Sequence, residues 1–393
     1  MDPVVRAVFT TTEYEGVNIC SAEIPSIDIT NRPCYYRGAG KTKGSYVRVG
    51  DADLPMTDYE IYSFESYKAH VHDDERPIDR ADLSLLDEAG VNNYILQMKL
   101  NRPYFSKLSE EQIYELLSIT RNGVPTLASI LNFGIYPQGL LPQLAITATV
   151  IPGTQIGETT NDGVRFLDNK RIEGTLSEML DEAIAFCNRN MRTQTIIDPK
   201  TGKRNDKTEY PINAIREAIL NALIHRDYSV HTEGTTIQIS FFTDRLEIHS
   251  PGSLYGRMTV NDLGKARPDL RNPALATMSE FLLKTENRYS GIPTIRREMQ
   301  EYGLPEPLFE NKRNEFVVTL FNKAENPIDK IDDNTDLITF CKTPRTRQEI
   351  SDYLGLKTTQ YVSKNYIQPL VDQGKLKLLY PDKPKSKNQK YYS

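Results

Sequence analysis

Cysteine is scarce and scattered in this chain of 393 residues: Cys20, Cys34, Cys187 and Cys341 stand far apart, and no two share a C-x-x-C spacing. That argues against a disulfide framework and a cysteine-based zinc site and leaves ordinary thiols. Long apolar runs are absent too. No stretch approaches the roughly 20 residues that cross a bilayer, and the opening MDPVVRAVF lacks the basic start and apolar stretch of a secretory signal. A cytoplasmic protein without a membrane span is expected. A phosphate loop is the third absence. Gly40-Lys41-Thr42 imitates its end, but the first glycine of G-x-x-x-x-G-K-S/T would fall at Tyr35, and the following GSYVRVG reads as a strand. The segment is expected to be a hairpin turn, which argues against a P-loop helicase motor.

Charge is close to balanced but unevenly placed. With 48 Lys+Arg and 53 Asp+Glu the formal net charge is −5. Residues 330–393 carry 12 basic and 7 acidic side chains, net +5, so the preceding 329 residues hold −10. The excess sits in the last twenty residues, where Lys375, Lys377, Lys383, Lys385, Lys387 and Lys390 face only Asp382. A basic end on an acidic body points to a polyanion partner; the alternative is a solvated lysine tail.

The length accommodates two to four domains, and the pattern is α+β and multidomain. Residues 1–66 read as a small β-rich module, with short β-branched or aromatic runs between Gly, Pro and Asn. Residues 67–200 read as a helical and mixed connecting domain: DLSLLDEAGVNNYILQM and SEEQIYELLSI have helical spacing, Ser109 caps the second, LAITATVI is a strand, and a long helix covers about 175–190. Polar PKTGKRNDKT opens a domain over 201–325, with a helix Ile212 to His225, an antiparallel pair IQISFFT/RLEIHS turned at Asp244-Arg245, and a closing strand FVVTLF. AENPIDKIDDN is a linker to a last domain, 331–393.

The helix INAIREAILNALIH carries the strongest chemical pattern. Ile215, Ala218, Ile219, Ala222 and Leu223 form one apolar face at 100° per residue, and Leu220 and Ile224 cover much of the other. Glu217, Asn221 and His225 share one stripe at i, i+4, i+8 of this largely buried helix. A buried carboxylate and amide cost several kcal/mol, roughly, unless paired or bound to a ligand. An ion or polar ligand is one reading; pairing with Arg216 or Arg226 is the other.

These residues also carry a resemblance. Tyr210-Pro211 followed by Arg216-Glu217-Ala218-Ile219-Leu220-Asn221-Ala222-Leu223-Ile224-His225-Arg226-Asp227-Tyr228 resembles the YP…REALxNAxxHRDY signature of bacterial RecG-helicase-related transcriptional regulators. Pro251-Gly252, Arg271-Asn272-Pro273, Ser290-Gly291-Ile292-Pro293 and Gly303-Leu304-Pro305-Glu306-Pro307 follow in that family's order. The resemblance implies a GHKL-type α/β sandwich like that of gyrases and histidine kinases, with ATP and Mg²⁺ as cofactors. In it Glu217 matches the acid that activates water, Asn221 the amide that holds Mg²⁺, and His225, Pro251, Gly252, Ser290 and Gly291 fall among the nucleotide-binding positions. One departure stands out. His249-Ser250-Pro251-Gly252-Ser253 replaces Asp-x-Gly-x-Gly, so the acid that reads adenine is missing and a proline stands where a glycine is expected. The first 66 residues, with Arg32, Arg37, Lys41, Lys43 and Arg48, resemble the later part of the Alba-type DNA-binding domain of Schlafen-like proteins, with DNA contact and a structural role both open.

The last 60 residues follow the logic of a winged helix-turn-helix. One helix runs from Asp336 to Lys342 and a second from Arg345 through Arg347 to Leu354. Thr358 caps a third, with Val362, Tyr366 and Leu370 inward and Thr359, Gln360, Ser363 and Lys364 outward, suited to base edges in a major groove. Pro369 ends or kinks it near Gln368. Lys375 and Lys377, alternating with leucines, and Lys383, Lys385 and Lys387 form a phosphate-contacting wing. The expectation is a DNA-binding regulator that meets double-stranded DNA as a homodimer, its middle domain sensing nucleotide. An Mg²⁺-ATP hydrolase and a non-catalytic interaction scaffold are the alternatives.

Overall fold

The computed structural model describes residues 1–393 apart from 50, 198–203, 284–289, 323–336, 339, 354–361, 373, 382–385, 387 and 388. It has two compact units, Met1–Asn322 and Lys323–Ser393.

The larger unit is built on a six-stranded sheet of β1 (Ile146–Val150), β2 (Asp168–Ile172), β3 (Ile237–Phe241), β4 (Arg245–Pro251), β5 (Leu308–Asn311) and β6 (Glu315–Phe321), in the order β5-β6-β4-β3-β1-β2. Only the β1–β3 pair is parallel. Helices α1 (Leu176–Asn190), α2 (Ile212–His225), α3 (Pro273–Leu282) and α4 (Gly291–Glu301) complete the layer. α1 starts where Thr175 and Glu178 exchange capping bonds, and its Leu176, Met179, Leu180, Ala183, Phe186 and Cys187 are buried at helical spacing. α2 is buried on most sides, as its apolar spacing predicts.

The boundary expected at residue 200 falls inside this unit. β1, β2 and α1 belong to the same sheet and core as residues 212–321, because β3, with Ile237, Ile239 and Phe241 buried, needs β1 on its second edge. The boundary at 66 also falls inside an element, the helix Asp58–Ala69, which starts at a capping box between Thr57 and Glu60. Gly40–Gly44 is a single helical turn rather than a hairpin turn, and Ser45 Oγ closes it by donating to the Lys41 carbonyl at 2.7 Å. Two exposed hairpins, Val8–Tyr14 with Val17–Glu23 and Tyr46–Val49 with Ala52–Pro55, make up the N-terminal strands. Among the described residues no helix is long and apolar enough to cross a membrane.

The smaller unit holds a three-stranded sheet, Arg345–Thr346, Lys390–Tyr392 and Lys377–Leu378, with the middle strand pairing both others. The second helix begins at Arg347, not Arg345, because Thr346 and Glu349 form its capping box and Arg345 is taken into the sheet. At Gln368, the residue before Pro369, the chain changes from π-helical to α-helical register. Leu337, Cys341, Ile350, Val362, Ile367, Leu370, Leu376 and Tyr391 form its core.

On β4 the alternation is strict. Leu246, Ile248 and Ser250 are buried, while Arg245, Glu247 and His249 take the other face. There His249 lies 2.9 Å from Glu247 Oε2 and 3.0 Å from Glu315 Oε2. Burial opposes its charge, but the two carboxylates outweigh burial and hold the imidazole pKa above its ordinary value. A folded pKa above the unfolded one, about 6.5, gives stability that is complete below pH 6.5 and is lost as pH rises through the folded value. The melting temperature should therefore fall more steeply above pH 6.5 in the native chain than in His249→Gln; parallel pH profiles of the two would refute this.

Candidate functional site

The stripe Glu217, Asn221, His225 forms one wall of a cavity of about 580 Å³, within the roughly 300–1,000 Å³ of small-molecule sites. Ser250, Gly252, Ser253, Tyr255, Asp269 and Arg271 line it from β4 and the following loop, and Ser290 and Gly291 from the start of α4.

Burial pushes the Glu217 carboxyl above its ordinary range, with Arg216, 3.8 Å away, as the only opposing influence. Arg216 also donates to the Leu283 carbonyl at 3.0 Å, and Arg226 donates to the carbonyls of Asp227, Thr232 and Thr235. Arg216 is thus a partial counter-charge for Glu217, too distant to offset its burial. Asn221 Nδ2 is buried with no hydrogen-bond partner, a state that costs about 1–3 kcal/mol. Gly291 lies over both side chains: a Cβ there would stand 3.0 Å from Asn221 Nδ2 and 3.1 Å from Glu217 Oε2. A side chain there would require Asn221 or Glu217 to shift by a few tenths of an ångström, so glycine favours the close approach of the start of α4. His225 borders the cavity. Its side chain is exposed, and the surrounding protein atoms, with the Arg271 charge adding to them, lower its pKa from the ordinary value.

The far end rests on a buried ion pair. Arg271 Nη1 lies 3.5 Å from Asp227 Oδ2, with side chains 7% and 4% exposed. Asp227 also accepts from Tyr59 Oη at 3.0 Å and from the Ser229 N–H at 2.8 Å. Burial opposes ionisation of Asp227, but Arg271 and these donors hold its carboxyl below the usual range. Asn272 donates to the carbonyls of Ile224 and Arg226, both at 2.8 Å, closing the C-terminus of α2.

One expectation about β4, that Pro251 borders the ligand, differs from the structure. His249 points to the opposite face of the sheet and Pro251 is absent from the described cavity wall; Ser250 and Gly252 line it instead. The alternation of β4 dictates this, since residues two apart share a face. The close approach belongs to Gly252, at φ +102°, where a Cβ would come 2.4 Å from Asp227 Cβ. Pro251 therefore replaces no required glycine; its carbonyl accepts the Asp227 N–H at 2.8 Å. The position facing the cavity carries the Ser250 hydroxyl, which donates to the Ala222 carbonyl.

In the smaller unit, Lys375 and Lys377 are exposed on either side of buried Leu376, as the alternation predicts. Arg345 and Arg347 turn inward: Arg345 lies 4.5 Å from the Phe340 ring, and Arg347 donates to Tyr391 Oη at 2.8 Å. Ser363 is half-buried. Thr358, Thr359, Gln360, Lys383, Lys385 and Lys387, and the side chain of Lys364, lie outside the described residues.

Residues 234–320 match the family described as "Putative ATP-dependent DNA helicase recG C-terminal". They comprise β3 to β6 with α3 and α4 and end just short of the close of β6. Residues 335–392 match the family described as "Filamentation induced by cAMP protein Fic-like, C-terminal domain". The chain is thus similar to an ATPase-like, RecG-related domain in its middle and to a Fic-like C-terminal domain at its end. No curated protein matches it. The crystal structure of the DIP2311 protein from Corynebacterium diphtheriae is similar at 18% identity and a TM-score of 0.49, over 92% of this chain and 71% of that one.

Arg271, Asp227 and Asn272 received no role from sequence, although Arg271-Asn272-Pro273 was visible as a motif. Their pairing joins segments over forty residues apart, and no local spacing encodes it. Because the Asn221 amide is kept at a cost, Asn221→Leu should leave the protein as stable or raise its stability by about 1 kcal/mol. A clear drop in melting temperature would show that the amide serves the fold.

Proposed function

We propose that the cavity binds a nucleoside triphosphate with Mg²⁺ and that the smaller unit is a winged helix that meets double-stranded DNA, making the chain a nucleotide-responsive DNA-binding protein acting as a homodimer. One observation carries the first half: the Asn221 Nδ2 donor is buried and unpaired beneath a glycine that opens a helix, where a phosphate oxygen would accept from it.

The residues fit such a ligand. The amide oxygen of Asn221 would suit Mg²⁺, which takes few protein oxygens together with phosphates, and Glu217 stays available as the base. Bound Mg²⁺ neutralises charge on the phosphate oxygens. The first turn of α4 offers N–H groups to the same oxygens. The raised pKa of Glu217 favours the further step of hydrolysis, because a carboxylate of higher pKa takes a proton from water more readily.

The DNA half is supported by the order of the described helices and strands after residue 336 and by the exposed Lys375 and Lys377 at the start of the strand that would serve as a wing. Lysines at such positions add affinity and salt dependence more than sequence preference.

Two experiments test these halves. At a hundredfold excess over Kd, Mg²⁺-ATP should stabilise the chain by about 2.7 kcal/mol, an increase that Asn221→Ala abolishes. Glu217→Gln should keep it but lose turnover. No thermal shift with the native chain would remove the nucleotide. For DNA, replacing Lys375 and Lys377 by alanine should reduce the slope of log K against log salt by about 2; an unchanged slope would remove the wing.

A further inference from the structure

The cavity has two chemically distinct ends. Glu217, Asn221 and Gly291 form one. Eight residues along α2, about 12 Å of helix, His225 leads to the other, where Gly252 and Arg271 meet Asp227. With phosphates at the first end, a base falls near the second, among apolar Ile224, Leu254, Met258 and Leu270.

A base carrying an exocyclic amino group needs an acceptor there, and β4 does not supply one. Asp227 is consumed by Arg271, Tyr59, Ser229 and Thr232. The Ser250 hydroxyl is committed to Ala222. Asp269 differs. It lines the cavity with its side chain 34% exposed, and its known donors fall on one oxygen: Tyr67 Oη donates to Oδ2 at 3.0 Å and the Arg257 N–H at 3.1 Å. Gly256 lets the loop close around it, since a Cβ there would come 2.4 Å from that oxygen. The Tyr255 ring, 5.4 Å from the Tyr67 ring and 5.1 Å from the Arg271 guanidinium, ties this carboxylate to the Arg271 end.

We propose that Asp269 is the specificity-determining residue of the site, accepting a hydrogen bond from the 6-amino group of adenine through Oδ1 and so replacing the acid missing from β4. The inference rests on the nucleotide reading above. It makes the ligand an adenosine nucleotide and assigns Tyr67 and Arg257 the work of orienting the carboxylate.

The test is calorimetry of the full chain with Mg²⁺ and either ATP or inosine triphosphate, which carries a carbonyl oxygen where adenine carries the amino group. The native chain should prefer ATP by on the order of tenfold, and Asp269→Asn, whose oxygen stays with Tyr67 and Arg257 and turns Nδ2 toward the base, should reverse the preference by weakening ATP and strengthening inosine triphosphate. Should that variant fail to fold, N6,N6-dimethyl-ATP with the native chain takes its place and should bind about tenfold more weakly than ATP. Equal binding of ATP and inosine triphosphate, an unchanged preference in Asp269→Asn, or undiminished binding of the dimethyl analogue would overturn the assignment while leaving a nucleotide site. Binding of neither triphosphate would overturn the nucleotide reading, and this inference with it.

Discussion

The carboxylate of Asp227 sits where four segments meet, and the geometry of the cavity depends on it. Its backbone N–H ties the end of α2 to β4 through the Pro251 carbonyl, and its side chain holds Arg271 of the following loop and Tyr59 of the helix Asp58–Ala69. A charge this deeply buried is tolerated only with a partner and several donors. Gly252, at φ +102°, gives the pair the space it needs. Removing either charge would leave the other buried, which typically costs about 3–5 kcal/mol.

That junction links the cavity to the first seventy residues. Tyr59 Oη accepts the N–H of Ser253 while donating to Asp227, and Tyr67 Oη donates to Asp269; Ser253 and Asp269 both line the cavity. Arg313, in the turn between β5 and β6, adds a bidentate contact to Glu60 of the same helix, at 2.9 and 2.8 Å. A ligand that moves the loop after β4 therefore acts directly on the helix Asp58–Ala69.

Much of this could be read along the chain. α2 was legible because Pro211 and apolar residues three and four apart specify a buried helix, and the same helix revealed the stripe of Glu217, Asn221 and His225. α1 was legible from its cap and amphipathic spacing. The parallel pairing of β1 with β3 was not, because nearly ninety residues separate the strands and parallel partners leave no turn signal. The β4 loop was misassigned for an instructive reason. Motif matching set Pro251 in a ligand position, whereas the period of two in Leu246, Ile248 and Ser250 gives the cavity face to Ser250. The Asp227–Arg271 pair and the fixation of Asp269 by Tyr67 exist only in the assembled fold.

The central claim is that the Asn221 amide, its Nδ2 unpaired beneath Gly291, serves a metal-bound triphosphate. A crystal structure of the full chain with Mg²⁺ and a non-hydrolysable ATP analogue tests this most directly. The account predicts density filling the cavity, with Mg²⁺ about 2.0–2.1 Å from the side-chain oxygen of Asn221 and phosphate oxygens at the first turn of α4. An analogue bound elsewhere, or a cavity left empty at saturating ligand, would contradict it.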